Sequence, residues 1–330
     1  VIPLAILFAT GGELGIPEFT SYDIKGIYCS TNYKRTGSYS ICCYSGSASQ
    51  VIPPTTELYI SGWFYFTSIA NTTNDRLIEL RGSGTANVVL ETGYFGYPLL
   101  LYSPNTYSTL ARGSTAIMLN TWYLIELHIR IGVNGLVECR LNGLPEFSYS
   151  GNTTTTSFID GVYMDSSYVI YYLDDFIIND TTGPINNSWM GGCKIVTLRP
   201  IGAGSSTQWI PSAGSNWDCV DETPPSATDY ISSTTAGALD LYDIAPLPGG
   251  VSSSATIRSV TVTAYAQRAG LTTSNFYDVI RINGSNYFSP QFGAGAVYSP
   301  YSYIMDLNPA TGVTWLFSEV NTIEAGVKLF

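Results

Sequence analysis

Apolar residues in this chain come in short runs of Val, Ile, Leu, Tyr, Phe and Thr, broken by Gly, Pro, Asn or Ser roughly every ten residues. A helix repeats its apolar face with a period of about 3.6 residues, and that period is nearly absent. Its best candidate is "TWLFSEVNTIEAG", where Thr314 would cap a short helix and Gly326 would end it. Many short strands with frequent turns predict an all-β protein built from sandwiches.

Two stretches show how the strands are expected to lie. In "LYISGWFYF", alternation puts Leu58, Ile60, Phe64 and Phe66 on one face and Trp63 and Tyr65 on the other. In "WYLIELHIRIGVNGLVECRLNG", Tyr123, Ile125, Leu127, Ile129 and Ile131 share a face opposite Trp122, Glu126, His128 and Arg130. A two-residue Asn134-Gly135 turn would pair Ile131 with Glu138 and mix the faces. A three-residue loop over Val133, Asn134 and Gly135 is therefore expected, with Gly135 at positive φ, Arg130 opposite Glu138 and His128 opposite Arg140.

At 330 residues the chain is long enough for two cores. "NDTTGPINNSWMGG" concentrates turn formers between two strand-rich regions, which predicts sandwich domains over 1–182 and 183–330. Charged residues make up 12% and Tyr contributes 25 positions, a weakly charged surface where about a quarter charged is usual. A net charge of −11 with no basic run predicts no nucleic-acid partner, and no stretch has the length of a membrane span. The opening "VIPLAILFAT" lacks the basic region of a secretory leader, so protein is expected to bury it.

Six cysteines lack the CxxC pairs of zinc ribbons. Cys29 and Cys43 flank one turn, and Cys193 and Cys219 are the only cysteines after residue 182; each pair is a candidate disulfide, with free buried thiols as the alternative. Asn-x-Ser/Thr sequons stand at Asn71, Asn152, Asn179, Asn186 and Asn283, all candidate glycosylation sites. The lone His128 is expected on a solvated surface without catalytic or metal-binding partners. Asp174 and Asp175, adjacent on a regular strand, would point to opposite faces and serve as structural carboxylates. GxSxG, GxxxxGK[ST], HExxH and the ExDxE or ExDxxE carboxylate spacing of retaining sandwich glycosidases do not occur. No catalytic residue, metal or cofactor is assigned, and the chain is expected not to be an enzyme.

The first part, through "LAILFATGGELG", "YKRTGSYSICC", "NTWYLIELHIRI", "GLVECRLNG" and "YYLDDFIIND", resembles the concanavalin A-like, laminin-G-type jelly rolls of phage and environmental structural proteins. The second, through "TQWIPSAGSNWDCVDETPPSATDYISSTTAG", "IRSVTVTAYAQR" and "DLNPATGVTWLFSEVNTIEAGVKL", is similar to a module that follows such jelly rolls. The resemblance implies two tandem β-sandwiches in a virion or filament context and implies no activity. The expectation is a self-assembling extracellular or virion structural subunit, with Val1, Ile2, Pro3 and Leu4 adding a strand to a neighbouring copy. The alternative is a carbohydrate-binding module that stacks sugars on Trp63 and Tyr65.

Overall fold

A computed structural model describes residues 5–15, 18–23, 26–69, 74–93, 99–270 and 274–330. The chain divides into two compact units, Val1–Ile195 and Val196–Phe330, so the boundary falls after residue 195 and not at the expected 182. Val1 to Leu4, the proposed assembly strand, lie outside the described residues, as does Asn71.

Unit 1 is a two-sheet jelly roll. Its first strands are β1 (Ile6–Thr10), β2 (Ser21–Tyr22), β3 (Ile27–Ser30), β4 (Ser40–Cys43), β5 (Gly46–Thr55), β6 (Glu57–Ser68), β7 (Asp75–Gly82) and β8 (Thr85–Thr92). They are followed by β9 (Leu99–Ser103), β10 (Ser108–Arg112), β11 (Trp122–Arg130), β12 (Gly135–Leu141), β13 (Leu144–Gly151), β14 (Ile159–Ser166) and β15 (Ile170–Asp180). One sheet runs β13-β12-β11-β6-β15-β4-β3, with β1 also on β15, and the other runs β10-β9-β8-β7-β14-β5-β2. All pairings are antiparallel, which lets each sheet bury one face and turn the other outward.

The shared core takes Leu58, Ile60, Phe64 and Phe66 from β6, Ile125, Leu127 and Ile129 from β11, and Leu173 and Ile178 from β15. Opposite them lie Leu80, Val88, Leu90, Leu101, Val162 and Met164 of the second sheet. Burying a side chain of this size contributes roughly 1.5–3 kcal/mol. Two hairpins turn through Ser83-Gly84 and Asn142-Gly143, with φ of 48° and 77°, and 52° and 79°. Positive φ at both central residues matches the right-handed twist of the flanking strands.

The β11–β12 hairpin departs from expectation by two residues. Ile129 pairs with Val137, His128 with Glu138 and Arg130 with Leu136, so the chain turns over residues 131–134. A slip of two keeps every side chain on its expected face. Thr153 fixes the wider turn: its Oγ1 accepts from the Gly132 N–H at 3.0 Å, and its own N–H donates to the Gly132 carbonyl at 3.0 Å. Gly135 does not take positive φ. It is glycine for space, since a Cβ there would lie 2.0 Å from Thr153 Oγ1 and 2.7 Å from the Arg130 carbonyl oxygen.

Unit 2 contains β16 (Pro200–Thr207), β17 (Ile210–Pro211), β18 (Ile231–Ser232), β19 (Leu239–Ile244), β20 (Val260–Ala266) and β21 (Ser274–Ile282). It ends with β22 (Ser285–Phe288), β23 (Phe292–Ala294), β24 (Ser299–Met305), α1 (Phe317–Val320) and β25 (Glu324–Leu329). A sheet ordered β16-β19-β25-β21-β22 packs through Ile280 and Ile282 against the β20–β24 ribbon, with Met305 and Trp315 between. The helix is a single turn entered at Leu316, whose N–H donates to the Glu319 carboxylate at 2.8 Å. Thr314 is therefore not the cap, and Gly326 lies inside β25. Among the described residues no helix is long and apolar enough to cross a membrane.

Asp240, Val327 and Asp278 occupy one rung of this sheet. Asp240 is buried but satisfied, accepting from Gln208 N–H, Trp209 N–H, Asn216 Nδ2 and the Tyr242 hydroxyl. Asp278 is 0% exposed and neither carboxyl oxygen has a hydrogen-bond partner. Burial pushes its carboxyl well above the usual range. The unfolded chain releases this proton near pH ~3.9, whereas the folded chain retains it. Its stability contribution is thus fully present below that pH and is lost as pH rises toward neutrality. Urea unfolding of unit 2 should show this loss across the acidic range. In Asp278→Asn it should be smaller by at least about 1 kcal/mol, given that one pKa unit is worth ~1.4 kcal/mol; identical pH profiles for the two proteins would contradict the assignment.

Candidate functional site

A two-sheet sandwich has two outer faces, and unit 1 uses them differently. On the first sheet β6 turns Tyr59, Ser61, Trp63 and Tyr65 outward. Beside them stand His128, Glu126 and Trp122 of β11, and Asp174 and Tyr172 of β15. Residues 183–195 run back across this face. Asn179 Nδ2 donates to the carbonyls of Asn186 at 2.6 Å and Ser188 at 2.9 Å. Ser61 Oγ donates to the Gly191 carbonyl, and the Gly191 N–H donates to Glu126. Trp189 lies under the Arg140 guanidinium at 3.9 Å and meets His128 and Tyr59 edge-on.

This strap corrects several expectations. Trp63 and Tyr65 share the outward face, but their ring faces are occupied. Arg35 sits 3.9 Å from the Trp63 ring and Gly192 packs beside it, while Tyr33 stacks on Tyr65 at 4.7 Å and Trp122 flanks it at 5.2 Å. His128 is not solvated: it is 7% exposed, bonded to Glu57 at 2.7 Å and Glu138 at 2.9 Å, and stacked on Tyr59 at 4.3 Å. Asn179 and Asn186 are buried, so glycosylation of the folded chain is blocked there, whereas Asn152 and Asn283 are exposed.

Asp174 and Asp175 reach the same loop because β15 is irregular at this point. Its pairing with β6 shifts between Asp174 and Ile177, and Asp175 takes a φ of 51°. Asp174 accepts the amides of Arg35 and Thr36, and Asp175 accepts from the Arg35 guanidinium at 2.6 Å, Thr36 Oγ1 at 2.9 Å and the Ile195 amide at 2.6 Å. Burial, then the neighbouring Asp175 carboxylate, push Asp174 up to about 7 against the pull of those amides. The pair ties the strap and one loop to the sheet.

No disulfide joins any of the six cysteines among the described residues. Tyr28 pairs with Cys42 and Ile27 with Cys43, which leaves Cys29 two rungs from Cys43, and residues so placed are too far apart for a bridge. Cys193 belongs to unit 1 and Cys219 to unit 2, and neither is bridged. Among the described residues no cluster of His, Cys, Asp or Glu could hold a metal ion.

The outer face of the second sheet carries a charged and aromatic cluster that the sequence analysis missed. One rung reads Ser49, Tyr163, Glu79, Val89, Tyr102, with Arg81 and Gly161 two positions along on the same face. A second reads Arg76, Glu91, Leu100, Arg112, and Asp165 projects near it from β14. Glu79, 3% exposed, binds Arg81 at 2.9 Å and Arg76 at 3.3 Å. The Arg81 guanidinium lies 4.0 Å from the Tyr163 ring. The hydrogen bond to Glu79 raises Arg81 above its usual value, and burial raises Asp165 and Glu91.

Strict alternation over "DRLIELRG" would separate Arg76 from Glu79 and Arg81. A bulge between Arg76 and Ile78 resets the phase, so all three meet while Leu77 and Ile78 both enter the core. The partners of Glu79 also set it apart. Asp75, Asp174, Glu13, Glu146 and Asp240 each accept two or more backbone amides and so anchor loops. Glu79 holds two arginine side chains, which fixes donors in a preset geometry on the outer sheet face.

No protein-family model matches the sequence, and no curated protein matches it. Solved structures similar to it include a cellulose-induced protein, Cip1 (16% identity, 46% of this chain and 84% of that one, TM-score 0.39). An endo-β-1,4-glucuronan lyase from the fungus Trichoderma reesei matches at 10% identity over 57% of this chain and 100% of that one, TM-score 0.40. The alginate lyase Aly36B matches at 10% identity over 55% and 94%, TM-score 0.38. The jelly-roll assignment stands on the sheet order of unit 1 itself. The expectation that the chain is not an enzyme is withdrawn, because two of these three structures are polysaccharide lyases. The missing ExDxE spacing speaks only to one glycosidase chemistry.

The anchoring role of Asp175 is open to test. Asp175→Ala should lower the stability of unit 1 by about 3 kcal/mol in urea unfolding, the cost of leaving a paired charge without its partner. The Ile195 amide should also exchange with solvent deuterium faster, and unchanged protection would show that the strap is held elsewhere.

Proposed function

We propose that unit 1 is a carbohydrate-binding sandwich whose ligand lies across the outer face of the second sheet. The observation that carries this reading is the Arg76–Glu79–Arg81 triad, with Arg81 seated on Tyr163. Saccharides offer vicinal hydroxyls that donate to carboxylates and accept from guanidinium groups, and apolar ring faces that lie on aromatic rings. Glu79 holds the arginines, which supply planar donors set in place before binding, and Tyr163 and Tyr102 supply rings along one rung. The triad adds nothing to the apolar core and anchors no loop.

The first sheet is the weaker candidate, because the strap and Arg35 occupy the ring faces of Trp63 and its neighbours. Self-assembly into a filament, expected from the weakly charged composition, the missing catalytic motifs and the phage-type resemblance, is the secondary reading; its candidate contact strand, Val1 to Leu4, lies outside the described residues. Either role is exercised outside a cell or on a virion surface, where polysaccharide is met.

Affinity electrophoresis through gels containing polysaccharides tests the site. Tyr163→Ala and Arg81→Ala should each weaken retardation about tenfold or more, in line with the ~1–2 kcal/mol of one stacked or charge-assisted contact. Trp63→Ala should leave retardation unchanged. Loss in the Trp63 variant with none in the other two would move the site to the first sheet.

A further inference from the structure

We infer that the site on the second sheet selects uncharged saccharides over polyuronates, an inference that rests on the binding reading above. A chain of uronates carries a negative charge on every residue, and recognising it requires cationic donors in excess of the carboxylates around them. This face has no such excess. Among the described residues its arginines are Arg76, Arg81 and Arg112, and its carboxylates are Glu79, Glu91 and Asp165. The two arginines nearest Tyr163 are already committed, since both bind one oxygen of Glu79.

The remaining carboxylates are poorly compensated. Asp165 comes no nearer than 3.9 Å to Arg76, and Glu91 accepts from Asn74 at 3.4 Å. Both flank the triad on the side of Arg76. A uronate entering there would set its own carboxylate against these two and would have to displace Glu79 to reach a guanidinium. A neutral sugar meets no such conflict. Its hydroxyls can donate to Asp165 and Glu91 and accept from the free N–H groups of arginines that stay paired. Arg81 can offer such groups, since its side chain stays partly exposed while it binds Glu79. The negative charge of the whole chain, −11, acts in the same direction.

The test compares retardation of the full chain at low ionic strength in gels of galactomannan and hydroxyethylcellulose with gels of alginate and polygalacturonate. Retardation by at least one neutral polymer, with none by the two polyuronates, is the expected result. Glu79→Gln keeps the side-chain shape and removes the charge that occupies both arginines. It should gain polyuronate binding by about tenfold or more, as expected for releasing a charge-assisted contact, and added salt should abolish the gain. Stronger retardation of the unaltered chain by polyuronates would overturn the selectivity and leave the carbohydrate reading intact. Retardation by neither class would overturn both. The comparison on the unaltered chain decides the matter even where the Glu79 variant folds poorly.

Discussion

Every long strand of unit 1 sends alternate side chains into one shared apolar core, and this constraint decides what the two outer faces can carry. Once Phe64, Phe66, Ile125 and Leu173 are committed inward, Trp63, Tyr65, Glu126 and Asp174 must lie outward. The first sheet thereby acquires an aromatic outer surface that water covers poorly, and the chain covers it with its own residues 183–195. The second sheet turns Tyr163, Glu79 and Arg81 outward instead. There an ion pair lies over the Tyr163 ring, so the face is partly charged and not bare aromatic surface.

Where alternation is broken, the break places chemistry. The bulge at Arg76–Ile78 brings two arginines to one glutamate, and the irregularity at Asp174–Ile177 brings two adjacent carboxylates to one loop. A regular strand could do neither, since it would send each pair to opposite faces. A bulge costs ladder hydrogen bonds and persists where the re-aimed side chains offset that loss. At Asp175 the return is plain: Arg35, Thr36 and Ile195 are all held by one carboxylate. At Glu79 the partners are only other side chains on the outer face, and a structural return of that kind is lacking.

The same physics separates what was legible in the sequence from what was not. Period-two patterning is local, so the all-β class, the two faces of β6 and the alternation of β11 could be read directly. The β11–β12 turn could not, because Thr153 sets its width from outside the hairpin. Nor could the burial of Asn179, Asn186 and His128, which depends on a strap that folds back over the sheet, bonding Asn179 within ten residues and reaching His128 from Trp189. The candidate Cys29–Cys43 disulfide failed on register: nearness in sequence put the two on adjacent strands, but two rungs apart. The Arg76–Glu79–Arg81 triad had one local signal, three charges within "DRLIELRG" in a chain with 12% charged residues, and a single bulge disguised it.

That scarcity of charge is itself an argument about the triad. A chain with so few charged residues spends most of its carboxylates near the core on backbone amides, where each fixes a loop that few side chains could otherwise hold. Arginines are fewer still, and placing two of them on one buried glutamate removes them from general solubility. A purely structural brace for β7 would need no aromatic partner, and Arg81 has one, with Tyr163 beneath its guanidinium. A ligand laid across that rung meets a partly exposed guanidinium that is already oriented by Glu79 and by the ring beneath it.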